Sequence, residues 1–162
     1  MFDCAVINAG PLVALSLIDQ LDLLPALFPQ CWVPQSVFDE VAVAGIGKPG
    51  AKSLQSADWR ARVRISPTPD PLLVMELDAG EAEVISLARA LSPCVTIIDE
   101  RRGRRIAQQV YGLTVKGTAG LLVDAHRRGL ISGVRPRLLE LRAAGYFVSD
   151  SVILAASALV GE

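Results

Sequence analysis

Short apolar runs alternate along the chain with stretches in which hydrophobic residues recur every three to four positions. The runs at residues 4–7 (CAVI) and 94–98 (CVTII) are typical of strands that are covered on both faces. Strands alternating with amphipathic helices predict an α/β fold with a parallel sheet and right-handed crossovers. The predicted strands are 4–7, 31–33, 62–65, 94–98 and 113–115, and the predicted helices are 10–18 (extending at most to 27), 40–43, 51–58, 81–91, 101–110, 119–128, 135–144 and 151–159.

The domain organisation follows from the length and composition. The chain has 162 residues, of which 51% are hydrophobic, so we expect one folded domain rather than a disordered chain. Residues 1–130 form its predicted α/β core and residues 131–162 a helical C-terminal extension. The uncharged stretch 4–18 contains Asn8 and Pro11, which argues against a membrane span, and Asp3 stands where a secretory leader is basic. We therefore expect a cytoplasmic protein.

Cysteine and histidine are scarce, which limits the chemistry available. The three cysteines, Cys4, Cys31 and Cys94, are widely spaced, and His126 is the single histidine. This set excludes a structural zinc site, and a lone histidine argues against Ser–His–Asp or Cys–His catalysis. An odd number of separated cysteines favours reduced, buried thiols. If the protein is an enzyme, carboxylates must carry the reaction.

The small net charge of −1 hides an asymmetry along the chain. Residues 1–98 carry 6 basic and 11 acidic side chains, whereas residues 99–142 carry 10 basic and 4 acidic ones. Acids from one half and arginines from the other would meet at a site that binds both a metal ion and a phosphate backbone. An uneven distribution of solvated surface charge is the alternative explanation.

Two polar residues follow predicted strands directly. Asn8 follows the strand 4–7, and Asp99 follows the strand 94–98. Because functional groups in open α/β sheets gather at the carboxyl ends of strands, both are candidate site residues. Asp99 is also suited to cap the helix that follows it, and the two roles are compatible.

Two glutamates lie on or beside apolar helix faces. A helical projection places Glu81 in the middle of the apolar face of its helix and Glu83 on the outer side. A buried carboxylate is costly unless it is paired, hydrogen-bonded or bound to metal. A capping box formed with Asp78 is the structural alternative for Glu81. Glu40 lies at the edge of a second apolar face, after a predicted capping box of Ser36 and Asp39.

Arginines follow Asp99 closely. Arg101, Arg104 and Arg105 share one helix face by their spacing, and guanidinium groups match phosphate geometry. They are candidate nucleic-acid contacts, although a solvated helix face gives the same pattern. Asp99 with Lys116 also resembles a receiver-type phosphoacceptor pair, but the acidic pair that such a site needs after the first strand is missing.

Several motifs in this order resemble the PIN-domain family, most closely its DUF3368 subfamily, which is related to VapC-type toxins. They cover nearly the whole chain, ending with the terminal Gly161 and Glu162. The matching segments are VINAGPL at 6–12, VPQSVFDE at 33–40, LDAGEAE at 77–83, IDERRGR at 98–104, GTAG at 117–120, RRGLI at 127–131 and LRAAG at 141–145.

The resemblance implies a three-layer fold with a central parallel sheet and an endoribonuclease that uses Mg²⁺ or Mn²⁺. Its four metal ligands would be Asn8, in place of the usual aspartate, with Glu40, Glu81 and Asp99. Hard divalent cations bind oxygen ligands, and they activate water for phosphodiester hydrolysis. The resemblance also implies RNA as substrate, an antitoxin protein as partner and a homodimer. Because Asn8 removes one negative charge, a catalytically silent module that binds RNA or protein is the alternative.

Overall fold

The computed structural model describes residues 2–162, and at its centre lies a five-stranded sheet. The strand order is β3-β2-β1-β4-β5, and all four pairings are parallel. Ala5 in the central strand pairs with Cys31 on one side and with Val95 on the other. The strands are β1 (Cys4–Ile7), β2 (Gln30–Pro34), β3 (Val63–Arg64), β4 (Val95–Ile97) and β5 (Val115–Lys116).

Helices flank this sheet, and they complete the predicted α/β three-layer fold. They are α1 (Ala9–Leu17), α2 (Leu23–Leu27), α3 (Gln35–Phe38), α4 (Ala51–Leu54), α5 (Ala57–Arg60), α6 (Pro71–Glu76), α7 (Ala79–Ala90), α8 (Arg101–Gln109), α9 (Thr118–Arg127), α10 (Arg135–Ala143) and α11 (Asp150–Ala158). A π-helical turn, Asp39–Val43, continues α3. No helix within residues 2–162 has the length and apolar character needed to cross a bilayer.

The core forms where the central strands meet the helices. Ala5, Val6 and Ile7 of β1 are fully buried, as expected for a strand covered on both faces. Helix α7 packs against β1, β2 and β4, and its buried side chains include Val84 and Ile85. In the C-terminal segment, α10 packs on α11 and α11 packs on α9. This packing fixes the carboxyl ends of β1 and β4, which carry the candidate residues.

Three local predictions differ from the structure. The first helix ends at Leu17, in agreement with the predicted 10–18, but its possible extension to residue 27 is wrong, because the chain turns at Asp19, whose φ is +57°, before α2 begins. Helix α6 was not predicted, since its initial Pro71 follows a proline-rich loop. The capping box of Ser36 and Asp39 is wrong: α3 begins earlier, and the Ser36 N–H donates to the Glu83 carboxylate at 3.3 Å.

The prediction of reduced thiols is wrong for two of the three cysteines. Cys4 and Cys94 form a disulfide across a sequence separation of 90 residues. They meet because Cys4 lies in β1 and Cys94 immediately precedes β4, which is the neighbouring strand. Cys31 remains a free thiol, and burial raises its pKa to about 12. Wide spacing in sequence therefore did not indicate wide spacing in the fold.

Candidate active site

One cavity of about 1180 Å³ opens at the carboxyl edge of the sheet. Acids from the first part of the chain and arginines from α8 meet there, as the charge asymmetry predicts. All seven candidate residues line it: Asn8, Glu40, Glu81, Asp99, Arg101, Arg104 and Arg105. The roles of these residues stay predictions.

Asn8 directs its side chain toward the cavity rather than into a helix cap. Its backbone N–H donates to the Ile97 carbonyl at 3.0 Å, which holds it at the end of β1. Although Asn8 is the residue before α1, its side chain makes no capping hydrogen bond, and only 8% of the residue is exposed. A Cβ on Gly80 would lie 3.7 Å from Asn8 Oδ1, so the first turn of α7 approaches the amide closely. The amide oxygen is available as a ligand.

Glu81 forms the capping box that the sequence allowed, and it also lines the cavity. Its backbone N–H donates to Asp78 Oδ1 at 2.8 Å, and its carboxylate accepts from the Asp78 N–H at 3.2 Å, which completes a capping box. The residue is nevertheless 9% exposed and lines the cavity. Burial and then the negative charge of Asp78 raise the pKa of Glu81 to about 7.

Glu100 lines the cavity beside Glu81, and it was not predicted as a site residue: a Cβ on Gly103 would lie 3.6 Å from Glu100 Oε2 and 3.9 Å from Glu81 Oε1. Burial disfavours its charged form, but N–H donors outweigh this effect and lower its pKa. These donors are the backbone N–H groups of Gly103, at 2.8 Å, and Arg102, at 3.1 Å. Glu100 rather than Asp99 is therefore the cap of α8. The pKa values of Glu81 and Glu100 are therefore shifted in opposite directions.

Asp99 is held by three donors. Its Oδ1 accepts the Thr118 N–H at 2.6 Å, and its Oδ2 accepts the Thr118 hydroxyl at 2.6 Å and the Tyr146 hydroxyl at 2.5 Å. A Cβ on Gly117 would lie only 2.8 Å from Asp99 Oδ1, so a larger residue there would displace the carboxylate from its present position. Burial, followed by the Asp99 charge, raises the pKa of Tyr146, which keeps its hydroxyl protonated as a donor.

Glu40 reaches the cavity from the π-helical turn. Such turns insert one extra residue per turn, and they occur frequently at functional sites. The turn is closed by the Ala44 N–H, which donates to the Asp39 carbonyl at 2.8 Å. Partial burial and then the charge of Asp78 raise the pKa of Glu40. Glu40 is otherwise exposed, and it forms the outer wall of the acidic side.

The basic side of the cavity contains fixed and free cations. Arg104 donates to the Ile98 carbonyl at 2.9 Å, whereas Arg101 and Arg105 are exposed and form no ion pair within residues 2–162. Lys116 pairs with Asp124, not with Asp99, which removes the contact that a phosphoacceptor site needs. The two exposed arginines are free to bind phosphate.

The donor set fits a hard divalent cation by its chemistry, because carboxylate and amide oxygens are the ligands that Mg²⁺ and Mn²⁺ take. Within the described part of the chain, however, no three acidic, histidine or cysteine side chains form a preassembled metal-binding group. Asp99 is hydrogen-bonded to Thr118 and Tyr146, and Glu81 to the Asp78 N–H. Both carboxyl groups therefore accept hydrogen bonds from donors of the protein itself.

Sequence reasoning missed three contributors to this site: Glu100, Thr118 and Tyr146. Glu100 adjoins Asp99, and Thr118 lies in the GTAG segment, so both were within motifs already singled out. Tyr146 follows the LRAAG segment directly, but it lies 47 residues from the aspartate it contacts. Only the return of the C-terminal segment over the sheet edge brings it there.

Comparison with known proteins agrees with this architecture. The sequence profile of DUF3368, described as a PIN domain, matches residues 4–162, which is almost the whole chain. No curated protein matches the chain, and no solved structure matches it. The residues that line the cavity all lie within the matched range. The chain belongs to the PIN-domain family.

Proposed function

We propose that this protein is a Mg²⁺- or Mn²⁺-dependent endoribonuclease of VapC type. The observation that carries the proposal is a single cavity in a PIN domain, lined on one side by Asn8, Glu40, Glu81 and Asp99 and on the other by unpaired arginines. PIN domains generally use divalent metals. This combination of oxygen ligands and cations suits a phosphodiester substrate, whose backbone is anionic and whose hydrolysis is promoted by metal ions.

Under this proposal each side chain has a defined task. Asn8, Glu40, Glu81 and Asp99 hold the cation, which when bound supplies Lewis-acid stabilisation and an activated water. Thr118 and Tyr146 orient the Asp99 carboxylate through their hydrogen bonds. Without the cation, burial and the charge of Asp78 raise the pKa of Glu81 to about 7, so that Glu81 itself holds a proton near neutral pH. Phosphate groups of the substrate are bound by Arg101, Arg104 and Arg105.

A nuclease assay with a matched control tests the proposal. The protein is incubated with single-stranded RNA across Mg²⁺ and Mn²⁺ concentrations, and Asp99→Asn is compared with Asp22→Asn. Asp22 is an exposed aspartate that makes no side-chain hydrogen bond at the start of α2. We expect cleavage by the parent and by Asp22→Asn, with loss in Asp99→Asn. Equal activity in all three preparations would identify a contaminating nuclease and contradict the proposal.

A catalytically silent PIN module that binds RNA is the second candidate, and two observations favour it. Asn8 removes one charge from the ligand set, and both oxygens of Asp99 are already hydrogen-bonded. This candidate predicts RNA binding with no cleavage at any Mg²⁺ or Mn²⁺ concentration. Measuring binding and cleavage on the same RNA separates the two candidates.

The proposal extends to partners and location. As a VapC-type toxin the protein would be neutralised by an antitoxin, act on cytoplasmic RNA and pair as a homodimer through α11. That helix buries Ile153 and Ala156 but leaves Val152 and Leu154 exposed, and Leu159, which follows it directly, is exposed as well. We also propose that residues 1–162 work as one domain, with 1–130 as the α/β core and 131–162 as the extension that supplies Tyr146.

A further inference from the structure

An aromatic side chain stands almost fully exposed at the mouth of the cavity. Phe147 is 87% exposed, and it lines the cavity together with Val152 of α11. A phenyl ring in water loses the free energy that burial would provide, about 1.5–3 kcal/mol. Neither the proposed metal chemistry nor the packing of the core uses this ring. Its position therefore points to something that covers it during function.

The backbone on both sides of Phe147 is held in place. The preceding residue, Tyr146, donates to Asp99 Oδ2 at 2.5 Å, and the following Val148 carbonyl accepts two hydrogen bonds from Arg142, at 2.8 and 3.1 Å. Ser149 then caps α11 by accepting the Val152 N–H at 3.2 Å. The exposed ring is thus presented from an anchored segment, so that ordering it for binding costs little.

The charged groups near the ring indicate which kind of molecule covers it. Arg101 and Arg105, which have no ion-pair partner within residues 2–162, line the same cavity as the ring. A protein partner that covers Phe147 would have to satisfy these cations with carboxylates. Single-stranded nucleic acid supplies both needs in every repeat, a phosphate for the guanidinium and a base face for the ring.

We propose that Phe147 is a positioning residue that stacks on an unpaired base of RNA and thereby places the neighbouring phosphate at the acidic side of the cavity. This rests on the proposed function and deepens it, because it states how the substrate is recognised. A base within a duplex has both faces covered by its neighbours, so the substrate must be single-stranded and unstacked at this position. Since stacking is sequence-tolerant, Phe147 contributes affinity and register more than sequence preference.

Binding experiments without hydrolysis test this role. In EDTA, fluorescence anisotropy measures the affinity of a labelled oligoadenylate and of an abasic oligomer of the same length. The full-length parent is compared with Phe147→Ala, Phe147→Trp and the control Met75→Ala, which removes an 82% exposed side chain from α6, away from the cavity. Melting temperatures establish that each variant is folded, which we expect because the altered side chains are exposed.

The expected result depends on the base. Phe147→Ala should bind oligoadenylate roughly 5- to 150-fold more weakly, the range that one base–aromatic stack provides, while Phe147→Trp and Met75→Ala stay near the parent. The abasic oligomer should bind the parent and Phe147→Ala equally. Base stacking should also quench the added tryptophan of Phe147→Trp, and the abasic oligomer should not.

Three results would overturn the inference. An equal loss of affinity for both oligomers would assign Phe147 a purely structural role. An unchanged affinity in Phe147→Ala, alongside metal-dependent cleavage by the parent, would reject stacking and leave the proposed function standing. A lower molecular mass for Phe147→Ala in light scattering would make the ring a contact between copies of the chain. If the parent binds neither oligomer and cleaves no RNA, the proposed function fails first.

Discussion

Asp99 and Glu81 lie in one cavity but differ in their surroundings. Asp99 accepts three hydrogen bonds, from the Thr118 N–H and hydroxyl and from the Tyr146 hydroxyl. Glu81 is buried beside Asp78 and Glu100, so its pKa is raised to about 7 and its protonated form is favoured. A divalent cation would replace this proton, because it relieves the same repulsion between carboxylates. Without a metal ion, the site therefore carries less negative charge near neutral pH than its number of carboxyl groups indicates.

The first prediction is that the metal-free protein loses stability as the pH rises from about 4.5 to 7. In this window Glu81 is protonated in the folded state and ionised in the unfolded state, so folding takes up a proton. Glu81→Gln keeps a capping-box side chain without the charge. In EDTA it should be more stable than the parent by about 1–3 kcal/mol above pH 7, with a flatter profile.

Urea unfolding at several pH values measures this difference. The residual slope of Glu81→Gln combines the remaining carboxyl groups with shifted pKa values: Glu40, whose pKa is raised, and Glu100 and Glu162, whose pKa values are lowered. A parent whose stability is constant or increases across the window, with Glu81→Gln no more stable at pH 8, would show that Glu81 is ionised in the folded protein.

The second prediction concerns Asn8→Asp. A carboxylate there adds repulsion at a position that α7 approaches closely, so the variant should be about 1–3 kcal/mol less stable than the parent in EDTA. With Mn²⁺ it should gain more stability than the parent, because an added charge tightens a hard-cation site. The matched control is Gln30→Glu, the same amide-to-acid change on an exposed residue at the opposite end of the strands.

Thermal melting with and without Mn²⁺ provides the readout, and cleavage at limiting metal should increase in parallel. Identical melting of Asn8→Asp and Gln30→Glu under both conditions would remove Asn8 from the proposed ligand set.

For single residues, the sequence predicted the place of a side chain when one strand or one helix determines it. Strand ends located Asn8 and Asp99, and the helical projection located the buried Glu81. The sequence did not predict contacts that depend on how two distant segments pack. Tyr146 contacts Asp99 only because α10 and α11 return over the sheet edge, and no local pattern encodes that path.

Among the secondary-structure elements, the π-helical turn is the one most closely tied to the site. It carries Glu40, and it leaves little space for the chain that follows. A Cβ on Gly45 would lie 2.5 Å from the Val41 carbonyl oxygen and 3.0 Å from that of Glu40. Backbone atoms cannot yield as a flexible side chain would, so Gly45 must lack a side chain. Sequence periodicity predicted a helix here but could not distinguish a π turn from an α turn.

The third prediction is that Gly45→Ala distorts this turn. The clash with two carbonyls should destabilise the protein by about 1–3 kcal/mol, and it should displace Glu40 and weaken any response to Mn²⁺. Gly120→Ala is the control, because a Cβ there meets no atom within 4 Å and the residue lies in α9. That change should be neutral or slightly stabilising.

Urea denaturation of the two alanine variants side by side tests the expectation. If Gly45→Ala proved as stable as Gly120→Ala, the turn would have to relax without cost, and the close approach would not constrain Glu40.

At the scale of the whole molecule, the exposed apolar side chains of α11 and of Leu159, which follows it directly, predict an association. Val152, Leu154 and Leu159 are 40%, 62% and 60% exposed. The fourth prediction is that light scattering gives twice the 17.2 kDa mass of one chain at micromolar concentration. Leu154→Glu, which places a charge in the proposed contact, should return the mass to one chain, whereas Met75→Glu on α6 should not.

A mass of one chain for the parent, independent of concentration, would exclude the homodimer. Sequence pattern anticipated the apolar helix but not how it divides, because Ile153 and Ala156 face the domain while Leu154 faces solvent. Which side of a uniformly apolar helix is covered depends on where α10 and α9 lie.

The donors to Asp99 come from two segments that lie far apart in the sequence. Asp99 follows β4, Thr118 begins α9, and Tyr146 follows α10, while Asn8 lies near the other end of the sequence. The Thr118 contacts span 19 residues and the Tyr146 contact spans 47. Because the entropy lost on closing a loop grows with its length, the Tyr146 hydroxyl bond is the costlier of these contacts to form. Local opening of the C-terminal segment would therefore release Asp99 from Tyr146 while both Thr118 donors stay in place.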